Sequence, residues 1–233
     1  MIERGPVPAP AVGDRLMRKI LVWDLPTRLF HWLLVLCIAG AWITGERDAY
    51  DWHMRFGYAV LALVLFRLIW GLVGSETARF ASFVRGPAAI RHHLDELRRP
   101  GRLPPHAGHN ALGALAVLGL LALVALQAGS GLFTSDGVLT DGPLVEHVSG
   151  SFAALARTIH LKNFDLLLIL IGLHVAAILA YALFKRLDLV RPMLTGRAAL
   201  PGNIPAPRIV SLVRAILVAA ISASAIWALV RYA

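Results

Sequence analysis

Five apolar runs dominate the chain, over residues 25–45, 57–74, 111–133, 164–184 and 209–230. Each is long enough to carry an α-helix, at about 1.5 Å per residue, across a hydrocarbon layer roughly 30 Å thick. In lipid no water satisfies backbone N–H and C=O groups, so runs of this length can only be helices. With 58% hydrophobic and 16% charged residues, the chain is too apolar to cover a soluble domain of its size. The expected fold class is all-α and integral to the membrane, a bundle of four helices with a fifth at its C-terminal end.

The net charge of +9 would fit a nucleic-acid partner, but its distribution argues against one. Arg4, Arg15, Arg18, Lys19 and Arg28 precede or open the first run, and the second and fourth connections are likewise rich in Arg and Lys. The opposite side carries only Arg47 and Arg55, then Arg157 and Lys162, then Arg231. Basic residues mark the cytoplasmic side, which predicts a cytoplasmic N-terminus and a periplasmic C-terminus in a bacterial inner membrane. The basicity reports topology and contact with anionic lipid, and no nucleic-acid role is expected.

Residues 1–19 read as a loose cytoplasmic tail and 197–233 as a linker with the fifth helix. Arg18, Lys19 and the small residues 39–41 resemble a signal peptide, but Asp24, Pro26 and Arg28 interrupt its apolar part. The first helix should begin at Pro26, just after Asp24. Within the connection 75–110, residues 87–99 place Ala89, Ile90, Leu94 and Leu97 on one stripe, the pattern of an amphipathic helix on the inner membrane surface. The outer segment 134–159, rich in Gly, Ser and Asp, reads as a loop and a docking surface for a periplasmic redox protein.

Histidines carry the chemistry. His160 and His174 are 14 residues apart on the fourth run, which puts them on one helix face about 21 Å apart. His31 lies near the inner end of the first run and His53 just outside the second. Counting rise per residue pairs His53 with His160 near the outer surface and His31 with His174 near the inner one. Two histidine pairs at two depths suit two haems, each with both axial positions filled, a state that exchanges single electrons and leaves iron no open position. Cys37 is the only cysteine, so the paired thiols of covalent haem attachment are absent and both haems are expected to be b-type.

Arg67 follows His53 by 14 residues and so falls at the depth of the inner pair. A buried arginine needs an anion, for which a haem propionate is the candidate; the competing reading is snorkelling to the inner headgroups. Gly57, four residues after His53, and Gly172, two before His174, would admit a flat macrocycle or simply close helix packing. His92, His93, His106 and His147 read as solvated surface residues, and His109 with Asn110 as a helix cap, the competing reading placing His109 near a quinone or the inner haem. Trp23, Trp32, Trp42, Trp52 and Trp70 read as interfacial anchors.

Several stretches together resemble the bacterial cytochrome b561 and nickel-hydrogenase b-type cytochrome family: VWDLPTRLFHW (22–32), HMRFGYAVLALVLFRLIWGLVGS (53–75), RFASFVRGP (79–87), GHNALGALAVL (108–118), the His160 and His174 pair, and KRLDLVRPMLTG (185–196). The resemblance covers most of the chain, and the ordered set is more specific than any one piece. It implies a di-haem core over residues 20–196 with His31, His53, His160 and His174 as axial ligands. Members pass electrons between quinone and periplasmic partners such as hydrogenase, c-type cytochromes or other oxidoreductases, as part of a respiratory chain. The expected role is therefore an electron-transfer membrane subunit and not a stand-alone enzyme. One branch of the family instead oxidises superoxide to reduce ubiquinone, and that is the alternative. A remoter alternative, a divalent-metal transporter using the same histidines, would need carboxylates at depth that the runs almost wholly lack.

Overall fold

The computed structural model describes residues 17–101, 103–135, 137 and 140–233. In chain order it contains strand β1 (Met17–Leu21), helices α1 (Leu25–Gly45), α2 (Tyr50–Val73), α3 (Phe80–Phe83), α4 (Pro87–Arg98), α5 (Ala111–Gly131), α6 (Gly150–Lys185) and α7 (Val190–Thr195), strand β2 (Arg197–Pro201) and helix α8 (Leu212–Tyr232). Among the described residues α1, α2, α5, α6 and α8 are long and apolar enough to cross a membrane. The architecture is an all-α membrane bundle with a single small ribbon.

Local chemistry sets the helix starts. Asp24 caps α1, its Oδ1 accepting the Thr27 N–H at 2.8 Å, and Pro26 occupies the first turn. The second span begins at Tyr50, earlier than its apolar run, because Asp51 in the first turn complements the helix dipole. The largest departure is α6. Its 36 residues start at Gly150, where the Ser149 hydroxyl accepts from Phe152 N at 3.3 Å, so most of the second half of the expected outer loop is helix. Arg157 and Lys162, ahead of the apolar run, lower the hydropathy there without breaking the helix. At about 54 Å, α6 is far longer than a bilayer's hydrocarbon core.

Helix α1 packs along α2 and α5 along α6, while α2 joins the two hairpins through α5 and also packs on α8. Packing of α6 against α1 and α2 is less extensive, and a cavity lies between these helices around His53 and His160. The central contact is apolar, made by Val60 and Val64 of α2, Leu121 and Val124 of α5 and Leu167 of α6. Ala215 and Val218 of α8 pack against Phe66 and Trp70 of α2. Polar stitches secure the same junction: Arg214 Nη1 donates to the Val73 carbonyl at 3.1 Å, and Glu76 Oε2 accepts the Arg208 N–H at 2.9 Å. The C-terminal helix is therefore part of the bundle.

Strands β1 and β2 pair antiparallel, from Met17 with Pro201 to Leu21 with Arg197. Residues 17–19 of the expected loose tail are thus ordered by pairing, whereas 1–16 lie outside the described residues. Gly196 closes α7 at φ +80°, where its carbonyl accepts from both Val22 N and Trp23 N. A Cβ there would approach the Trp23 carbonyl to 2.7 Å, so the corner requires glycine.

Two of the tryptophans read as interfacial anchors are interior instead. Trp70 is 0% exposed and Trp23 is buried, because each has a polar or aromatic partner inside the bundle. Trp32, Trp42 and Trp52 are exposed on the apolar surface.

Candidate functional site

His53 of α2 and His160 of α6 face each other with ring centroids 6.0 Å apart and planes inclined by 75°. Each ring is oriented by the backbone of a neighbouring helix. His53 Nδ1 lies 2.8 Å from the Ala41 carbonyl and His160 Nδ1 lies 2.9 Å from the Gln127 carbonyl. A carbonyl only accepts, so both Nδ1 atoms carry the proton and both Nε2 atoms are left with free lone pairs. This is how metal-ligating histidines are held. A metal–imidazole bond of about 2 Å on each side of one iron sets two ring centroids roughly 6 Å apart. The donor set and its spacing therefore fit a b-type haem.

A cavity of about 370 Å³ opens beside this pair, lined by His53, His160, Gly57, Trp42 and Phe164 among others. Its size lies within the range of cofactor pockets. A Cβ on Gly57 would meet nothing within 4 Å, so the glycine borders free space and is not a packing contact. Gly45 and Gly131, which the sequence reading did not single out, do the opposite. A Cβ on Gly45 would stand 3.0 Å from His53 Nδ1, and one on Gly131 would stand 3.1 Å from His160 Cε1. Their smallness lets the imidazoles lie against α1 and α5. Gln127 is itself clamped, its Nε2 donating to the His160 carbonyl and its Oε1 accepting from Asn163 Nδ2 at 2.8 Å.

Towards the other end of the bundle, His31 of α1 and His174 of α6 come within electrostatic range of one another. His31 Nδ1 is buried with no hydrogen-bond partner. Arg67 of α2 lies at this end, 3% exposed, with both terminal nitrogens buried and unpartnered. Its guanidinium carbon sits 4.7 Å from the Phe80 ring centroid, and Asp24 is the carboxylate within electrostatic range. The side chain does not snorkel outward. It presents unsatisfied donors inside the bundle, as an arginine awaiting an anion would.

A family model for prokaryotic cytochrome b561 matches residues 22–196. The chain belongs to that family. Cytochrome b561 proteins are membrane electron-transfer proteins that bind b-type haem, and this member spans the membrane several times. We found no match to a curated protein or to a solved structure. Helix α8 lies outside the matched region, yet its packing on α2 makes it a structural part of this cytochrome b561.

The remaining histidines divide sharply. His92, His106 and His147 are exposed, as expected of surface residues. His93 is not: it is 6% exposed and bonded on both ring nitrogens, because α4 turns this face inward against α6. Asn110 caps α5 through Gly113 N at 2.6 Å. Its neighbour His109 is enclosed by Trp23 and Phe83, with ring centroids 4.6 and 4.5 Å away. Burial first, then the charges of Arg67 and His106, lower the His109 imidazole to about 3, so it is neutral at physiological pH. Among the described residues no three His, Cys, Asp or Glu side chains gather as a metal-ion site.

Proposed function

We propose that this cytochrome b561 is a di-haem electron conduit of the bacterial inner membrane, exchanging electrons between a periplasmic redox protein and quinone. His53 and His160 would hold the outer haem, His31 and His174 the inner one. The observation that carries the reading is the facing His53–His160 pair, with each Nδ1 on a backbone carbonyl and each Nε2 free. Haem so ligated supplies one-electron exchange.

The chain's own residues position, insulate and tune. His160 and His174 share the rigid α6, so the two levels are held apart by helix geometry and not by a loop. Gly57 leaves space beside the outer ligands, whereas Gly172 is exposed on the outside of α6, and the unpartnered Arg67 guanidinium is placed to pair with an inner propionate. The distribution of basic residues orients the N-terminus and α4 to the cytoplasm and the C-terminus to the periplasm. The segment between α5 and α6 then faces the periplasmic partner, a c-type cytochrome, a hydrogenase or another oxidoreductase.

Haem content tests the reading. Pyridine haemochrome against protein quantification should give two b haems per chain in material produced with ample haem precursor. A preparation so supplied that holds one or none overturns it, and haem reduction by superoxide with no protein donor would replace the partner-dependent role by an oxidase.

A further inference from the structure

A second polar constellation stands apart from the four histidines, where α4 meets the end of α6. His93 Nδ1 lies 3.1 Å from Glu96 Oε2, and its Nε2 lies 2.9 Å from the Tyr181 hydroxyl. Asn110 Nδ2 donates to the same hydroxyl at 3.2 Å, its amide orientation set because Oδ1 caps Gly113 N. Glu96, His93 and Asn110 also line a cavity of about 800 Å³ on this side of the protein, together with His109. Tyr181 follows His174 by seven positions on α6, two turns and roughly 10 Å along the same face.

We propose that Glu96, His93 and Tyr181 form a proton relay joining the cytoplasmic cavity to a quinone reacting at the inner end of the bundle. The proposal rests on quinone being the electron partner. Reducing one quinone to quinol takes two electrons, delivered singly from the redox partner, and two protons, which must come from an aqueous side. The three side chains are a continuous hydrogen-bonded line from the cavity wall to a buried hydroxyl.

The chemistry of each group gives the line a direction. Glu96 accepts from Nδ1–H of neutral His93, so Nε2 accepts the proton of Tyr181. A proton from the cavity enters through Glu96, whose acid form hands it to Nδ1 of the Nε2–H tautomer of His93, and in the resulting imidazolium Nε2–H donates to the tyrosine oxygen. With Asn110 donating to the other lone pair, the Tyr181 O–H then turns away from His93 and faces the bundle as a donor. Handing that proton to a reduced quinone oxygen, and taking one from Nε2–H, returns His93 to neutrality with its proton on Nδ1, and exchange with cavity water restores the Nε2–H tautomer for the second proton. Quinol oxidation runs the sequence backwards. The charged or titratable groups facing His93 are Glu96 and Tyr181; His92 lies 3.7 Å from the second Glu96 oxygen, and Glu76, Arg85, His106 and His109 line the same cavity.

Two measurements on the full-length protein decide. Infrared difference spectra of oxidised protein without quinone, taken on acidification, should show imidazolium bands with a shift of a tyrosine C–O stretch. Tyr181→Phe should abolish the tyrosine shift, and His93→Gln should abolish it too while only reducing the imidazolium bands, to which the exposed histidines also contribute. A tyrosine shift that survives His93→Gln, or is absent from wild type, overturns the relay.

In stopped flow, stoichiometrically reduced protein is mixed with a short-chain quinone or with ferricyanide, which takes an electron without a proton. Tyr181→Phe and His93→Gln should slow reoxidation by quinone about 10²-fold, the lower end of what a positioned proton donor contributes, and leave ferricyanide oxidation unchanged. Added imidazole should restore much of the quinone rate in His93→Ala. Unchanged quinone rates, or equal slowing with both acceptors, overturn the relay. Wild-type protein that ferricyanide oxidises and quinone does not overturns the quinone reading itself.

Discussion

The indole Nε1 of Trp70 donates to Asp24 Oδ2 at 3.1 Å, while Oδ1 of the same carboxylate caps α1. One buried side chain thereby ties the start of α1 to the end of α2. His31 lies two turns beyond Asp24 and Arg67 one turn before Trp70, so the contact also fixes the axial offset between those two residues. Asp24→Ala should remove the cap, at about 0.5–2 kcal/mol, and strand a buried indole N–H, at about 1–3 kcal/mol. Thermal unfolding followed by circular dichroism in detergent should show the loss, and Asp24→Asn should lose less. An unchanged midpoint for Asp24→Ala would mean that the contact contributes nothing to stability.

Ligand pairing predicts matched phenotypes. His53→Ala and His160→Ala should each lose the outer haem, and His31→Ala and His174→Ala the inner one, giving two spectra from four variants. Agreement of His31→Ala with His160→Ala would refute the assignment by depth.

Removing the charge of Arg67 should lower the potential of the inner haem, since a nearby cation favours the reduced, less positive centre. Arg67→Leu should show the full effect and Arg67→Lys part of it, keeping the charge without the bidentate fork. A potentiometric titration resolving both haems is the check. Identical potentials in Arg67→Leu and wild type would place the guanidinium elsewhere.

The glycines separate space for a cofactor from space for a ligand. Gly57→Leu projects into open cavity and meets no protein atom at its Cβ, so the apo-protein should fold as well as wild type while outer haem occupancy falls. Gly131→Val presses on the His160 ring and should disturb both. Haem stoichiometry measured beside apo-protein melting separates the two cases, and full outer occupancy in Gly57→Leu would put the macrocycle on another wall.

His109 should make the protein acid-labile. Its folded value of about 3 lies below the ordinary histidine value near 6.5, so the unfolded chain binds the proton first. The stability associated with neutral, buried His109 is complete above about pH 6.5 and is lost as pH falls towards 3. Melting temperatures across that window should fall less steeply for His109→Gln. Parallel curves for variant and wild type would assign the acid sensitivity to other groups.

What was legible in the sequence is what depends on local geometry. Apolar runs long enough to cross lipid, the 14-residue interval between His160 and His174, and the caps at Asp24 and Asn110 follow from rise per residue and side-chain chemistry over a few positions. The extension of α6 back to Gly150 was hidden because charged residues lower hydropathy without weakening a helix, while Ser149 supplies a start that a span count ignores.

The tertiary structure alone decided which groups meet. Ala41 orients His53 across 12 positions, Gln127 orients His160 across 33, and Tyr181 engages His93 across 88. The first two partners are backbone carbonyls that every residue type carries, so no side chain announces them. They become partners only because α1 packs on α2 and α5 on α6. A helix pattern tells how far apart two residues lie along one axis; the rotation and approach of neighbouring axes come from apolar packing summed over the whole bundle.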